Sequence, residues 1–337
     1  MKKWLMVVMI GLLLVLTACN SGSDEKSGSS SDGEDQTKKK AVKVGITQLV
    51  EHPSLDGARE GFIEALKDAG YEEGKNLTLD YQNAQADVNN NMTIAQKLVN
   101  DENDLILAIS TPSAQAALQA TKTIPILFTA ITDPVSAKLV KSMEEPGGNV
   151  TGTSDTHPDA IKNTIASIKE FFPDAKKVGV IYNSGEPNSV VNVDKAKEAM
   201  KANGLEAVEV TVSASSEVKQ AAETLVGRAD VLYIPKDNTV VSALESVITV
   251  ANAKKIPAFV GESDSVKRGG FASYGFEYHD LGYSTGKMAV EILEGKKPSE
   301  IPVGVPENLE LVVNKKTADI LGVKLTEEQQ KKAKLVE

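Results

Sequence analysis

Cysteine is almost missing: the 337 residues contain one, Cys19. A single thiol excludes an internal disulfide framework and any thiolate-built metal centre. Histidine is scarce too. His52, His157 and His279 share no ligand spacing such as HExxH, so no zinc or manganese site is expected. There is no GxxxxGK[ST] phosphate loop and no GxGxxG turn, and no cofactor is expected. The stretch GESDS at 261–265 ends in Ser265, where a nucleophile elbow requires glycine. Basic runs interleaved with aromatics are absent and the net charge is -10, which argues against a nucleic-acid groove. Aromatic residues make up only 4% of the chain.

What is present begins with the N-terminus. Lys2 and Lys3 precede an apolar run at 4–16 and then LTAC, ending at Cys19. The run is short for a membrane span, and the small residues before Cys19 suit a peptidase. Residues 1–19 are therefore expected to be a lipoprotein signal peptide with Cys19 as its lipid-bearing lipobox cysteine, which rules that thiol out as a nucleophile. Residues 20–40 are Ser-, Gly- and charge-rich and are expected to form a disordered linker reaching on the order of 25 Å. The folded part would then sit outside the cytoplasm, lipid-anchored to the bacterial cell membrane.

The rest of the chain is a repeat. DLILAISTPSAQAAL at 104–118 matches DVLYIPKDNTVVSAL at 230–244, an apolar strand breaking into a helix start. Around it, KVGITQLV at 43–50 pairs with KVGVIYNS at 177–184, HPSL at 52–55 with EPNS at 186–189, and TIPILFTAITD at 123–133 with KIPAFVGESDS at 255–265. Blocks conserved in order indicate a duplicated α/β domain. Two similar Rossmann-like lobes with parallel sheets are expected, joined by a multi-strand hinge: 41–153 plus about 278–306 for lobe one, and 154–277 plus about 307–337 for lobe two. A helix is expected at 281–293, a strand at 309–313 and an amphipathic tail at 326–334.

Open α/β sheets bind ligands at the carboxyl ends of their strands. In lobe one that edge carries Gln48, His52 and Ser54, then Thr111, Pro112 and Ser113 at a helix start suited to an anion, then Thr132 and Asp133. Asp133 equally fits a cap for a helix following Pro134. Asp155 falls at the first crossing between lobes. The second lobe offers Tyr182, Asn188, Ser189, Asp237, Asn238 and Glu262, of which Asn188 and Ser189 also fit as helix caps. Thr111 and Asp237 are counterparts, one neutral and one acidic. A zwitterion would lay its carboxylate on the amides and hydroxyls at Thr111 and Ser113 and its ammonium on Asp237, with Asp155 as the rival.

The motifs QLVEHPSLD, ISTPSAQAA, AITDPVSAKLV, PGGNVTGTSD, YNSGEPNS, PKDNT and HDLGYSTGKM lie between Lys43 and Leu321. In these the chain resembles the ABC-transporter substrate-binding lipoproteins of the tryptophan- and tyrosine-binding type, with a type I periplasmic-binding-protein fold. The resemblance implies a two-lobed receptor that captures a small ligand in its cleft and hands it to a membrane permease. The missing motifs make an enzyme unexpected, and a monomer is expected because nothing in the sequence suggests a large exposed apolar face. The resemblance also implies an aromatic amino acid as cargo, for which Phe128, Tyr182, Tyr274 and Phe276 are the stacking candidates. A sugar, nucleoside or peptide receptor, or an extracellular enzyme or sensor on the same lobes, are the alternatives.

Overall fold

The computed structural model describes residues 39–337; the expected signal peptide, Cys19 and nearly all of the expected linker lie outside them. The first lobe runs β1 (Val42–Gln48), α1 (Pro53–Asp68), β2 (Leu77–Asn83), α2 (Val88–Asn100), β3 (Leu105–Ile109), α3 (Thr111–Ala120), β4 (Ile126–Ile131) and β5 (Val150–Ser154). Its sheet is wholly parallel, in the order β2-β1-β3-β4-β5. The central strands β3 and β4 are buried along their whole length, as continuous apolar runs must be in a sheet covered on both faces. The outermost strand, β2, is polar and half-exposed.

The second lobe repeats the plan: α4 (Ala160–Phe171), β6 (Lys177–Tyr182), α5 (Pro187–Ala202), β7 (Glu206–Thr211), α6 (Val218–Leu225), β8 (Val231–Ile234), α7 (Asn238–Val241), α8 (Leu244–Lys254), β9 (Ala258–Val260), α9 (Ser263–Lys267) and β10 (Ala272–Gly275). Strands β7-β6-β8-β9-β10 stand in the same order as their lobe-one counterparts. Two apolar clusters flank this sheet, one centred on Phe171, Phe259 and Phe271, which meet edge to face.

The chain then returns. Helix α10 (Tyr278–Leu293) lies on α1 so closely that a Cβ on Gly282 would stand 1.9 Å from the Ala58 carbonyl oxygen and one on Gly61 2.0 Å from that of His279. Gly304 bridges to Thr153 of β5, and the chain crosses back to add β11 (Glu310–Asn314), antiparallel to β10. After α11 (Lys315–Leu321) and α12 (Glu327–Lys332), β12 (Ala333–Val336) pairs parallel with β11. Most of the tail expected at 326–334 is thus α12, capped by Thr326, and it passes at Ala333 into a strand whose alternating Lys and apolar residues suit a sheet edge. No helix follows Pro134 either. Asp133 caps a turn, accepting from the Ser136 amide at 2.9 Å and its hydroxyl at 2.8 Å. Among the described residues, no helix is long and apolar enough to cross a membrane.

Candidate ligand-binding site

The carboxyl ends of the two sheets meet at a seam that holds a small cavity. Lobe one lines it with Leu55, Ala130 and Thr132, the first crossover with Asp155, lobe two with Asn188, Lys236, Asn238 and Glu262, and the start of α10 with Tyr278. By the repeat, Asn188 is the counterpart of Ser54, Lys236 of Ser110 and Glu262 of Ala130. The same turns thus serve both lobes, but the second carries the charge. The room left is about 10 Å³, the space of roughly one water, so the lobes are closed upon each other. Side-chain hydrogen bonds cross the seam: Ser54 Oγ donates to Glu262 Oε2 at 2.7 Å, and Asn192 Nδ2 to Thr132 Oγ1 at 3.0 Å.

At the centre are a carboxylate and an ammonium. Asp155 Oδ2 accepts from the Tyr278 hydroxyl at 2.7 Å, and the Lys236 Nζ stands 3.6 Å from Asp155 Oδ1 while donating to the Asp155 backbone carbonyl. Lys236 also lies 5.3 Å over the ring of Phe276, which stacks on Tyr278 at 5.2 Å between centroids. Asn188 Nδ2 is occupied, by Glu186, Ser189 and the Lys236 carbonyl. Two acceptors remain: Asp155 Oδ1 and Asn188 Oδ1 are buried with no hydrogen-bond partner. Buried oxygens are rarely left so, and both lack a donor. Burial drives the Glu262 carboxyl up to about 7; the Ser54 hydroxyl opposes this, and the charges of Asp264 and Asp155 add to it. Burial lowers His52 to about 4, helped by Arg268 and opposed by the Asn238 side chain and by Asp56 and Glu186.

Residues 43–337 match the family model described as ABC transporter substrate binding protein. The chain belongs to that family. Members bind solutes rather than transform them, and work outside the cytoplasm. This substrate-binding protein is 48% identical over 320 residues, 95% of its length and 92% of the relative's, to a tyrosine-binding protein of Clostridioides difficile. It superposes with TM-score 0.84, at 36% identity over 88% of its length and all of the other chain, on the structure of a Streptococcus pneumoniae ABC domain in complex with L-Trp. A ligand-free, open substrate-binding protein with adhesive properties from Clostridium difficile is more alike in sequence, at 45%, yet superposes at only 0.66 over 88% of this chain and all of that one. The arrangement of lobes here accordingly superposes better on the L-Trp complex than on the open structure. The two-lobed type I fold expected from the motifs is the fold observed.

Of the candidates read from the substrate-binding protein's sequence, Thr132, Asp155, Asn188, Asn238 and Glu262 line the cavity, and Ser54 reaches it through Glu262. Others are spent elsewhere. Gln48 binds Asp56, Arg59 and the Val50 carbonyl within lobe one. Asp133 holds its own turn. The Tyr182 hydroxyl donates to Glu209 at 3.0 Å, and Ser189 is buried beside Asp237. Thr111, Pro112 and Ser113 begin α3 next to the cavity, since Ser110 pairs with Thr129 one residue before Ala130, but they do not line it. Ser113 is bound to Asn91, while the hydroxyls of Ser110 and Thr111 are buried and partnerless.

Asp237 requires correction. Its oxygens accept from the Asn183 amide at 2.6 Å and the Val240 amide at 2.7 Å, capping α7 and tying it to the turn after β6. It faces its own lobe's backbone, and burial together with Glu186 raises it to about 7. Among the proposed stacking residues, Phe128 is wholly buried in lobe one and Tyr274 lies under Lys332, which leaves Phe276 beside the cavity. Sequence reading passed over Lys236 and Tyr278. The signal for Lys236 was a lone cation ending an apolar strand at the binding edge, in VLYIPK.

Proposed function

We propose that this substrate-binding protein captures a zwitterionic aromatic amino acid, L-tyrosine or L-tryptophan, between its lobes and delivers it to an ABC permease while tethered to the membrane by lipid on Cys19. The observation that carries this reading is the pair of buried, partnerless acceptors, Asp155 Oδ1 and Asn188 Oδ1, in one cavity. An ammonium brings three N–H donors, which is what two such oxygens lack, and its charge suits the Asp155 carboxylate. The relative named for tyrosine and the complex with L-Trp support the same class of cargo. Phe276 and Tyr278 supply aromatic surface. A ring of that size does not fit the room left here, so loading requires the lobes to part about the crossovers and to close over the ligand less far than they do in this structure.

A thermal-shift screen against the twenty amino acids, common sugars and nucleosides tests this, because a ligand that binds the folded state stabilises it by mass action. Tyrosine, tryptophan or phenylalanine is expected to give the largest rise. A response confined to sugars or nucleosides would replace the reading.

A further inference from the structure

We infer that Lys236 determines which ligands the cleft accepts, by binding the carboxylate of a guest whose ammonium rests on Asp155 and Asn188. This rests on the proposed capture of an amino acid and adds the group that enforces it. Lys236 is 6% exposed, and its ammonium donates one hydrogen bond, to the Asp155 backbone carbonyl. The side-chain carboxylate of Asp155 lies just beyond bonding distance, at 3.6 Å. A buried ammonium with donors to spare is costly unless something anionic meets it. The face of Phe276 steadies it from one side. A zwitterion set beside this pair would place opposite charges next to each other twice, carboxylate to Lys236 and ammonium to Asp155. An amine without a carboxylate would bring a second cation against Lys236 in a closed, buried cavity, where the repulsion is little screened. The neutral start of α3 is the competing carboxylate holder, with its buried hydroxyls of Ser110 and Thr111.

Calorimetry with L-tryptophan and tryptamine, and with L-tyrosine and tyramine, on the wild type and on Lys236→Gln, Lys236→Arg and Thr111→Val separates the two. The wild type is expected to prefer the amino acid over its amine by about ten- to a hundred-fold, the worth of a charged hydrogen bond. Lys236→Gln should bring that ratio close to parity, Lys236→Arg should restore part of it, and Thr111→Val should leave it. If Lys236→Gln alone does not fold, Lys236→Gln with Asp155→Asn removes the buried pair together and is read in the same way. Equal binding of amine and amino acid by the wild type, or an undiminished ratio without the lysine, overturns the assignment while leaving amino-acid capture in place. Failure of both amino acids to bind overturns both.

Discussion

Asp155 and Asp237 are both buried acids at the carboxyl edge of the sheets, and their surroundings assign them different work. Asp237 has two backbone amides on its oxygens, so Asp237→Ala leaves buried donors unmet and a helix uncapped. It should lower unfolding free energy by about 1–3 kcal/mol in denaturant titrations while changing ligand affinity much less than substitutions at Asp155. Glu262 is the residue through which pH should act. Its carboxyl is raised to about 7 in the closed form against an ordinary value of 4.5. The folded state therefore binds a proton there that the unfolded chain gives up, and stability from this group is complete below pH 4.5 and lost as pH climbs to 7. Glu262→Gln keeps an acceptor for Ser54 without the charge. Its melting temperature relative to wild type should rise steadily from pH 4.5 to 7 and level off above; a constant difference across that range would count against the assignment. Comparing variant with wild type cancels the opposing contribution of His52, whose lowered value favours the folded state as pH rises from 4 to 6.5.

Among the elements, the buried strands and their repeat were plain in the sequence, because continuous apolar runs such as LILAI and ILFTAI leave few alternatives to a covered parallel strand. Where a strand end turns its side chains was less plain. An Asp before a short helix has the same local sequence whether it caps that helix or faces a ligand, and Asp237 does the first. The ion pair of Lys236 with Asp155 joins residues from two elements far apart in the chain, so no local pattern announces it. Asn188, Thr132 and Glu262 were legible because polar residues at strand ends in duplicated turns have few other partners. The contact of α1 with α10 is a third case: HDLGYSTGKM marked the family, but its glycines are needed for backbone approach. Gly282→Ala should force the helices apart and cost about 1–3 kcal/mol in chemical denaturation, while an alanine at Gly295, where a Cβ meets nothing within 4 Å, carries only the strain of its positive φ.

For the whole molecule, the two lobes bring Leu55 and Thr132 to the same cavity as Lys236 and Glu262, and the proposed opening about the three chain crossings would part them. A tether on Cys19 would keep that motion near the membrane; Cys19→Ser should shift the protein from the membrane fraction to the soluble extracytoplasmic fraction, with ligand affinity unchanged. In the proposed function the cleft grips an ammonium through Asp155. Titration of the wild type and Asp155→Asn with L-tyrosine and L-tryptophan in a calorimeter measures this directly. Tight binding is expected of the wild type and affinity at least about ten-fold weaker of the variant; equal affinities in the two proteins would contradict ammonium capture at Asp155.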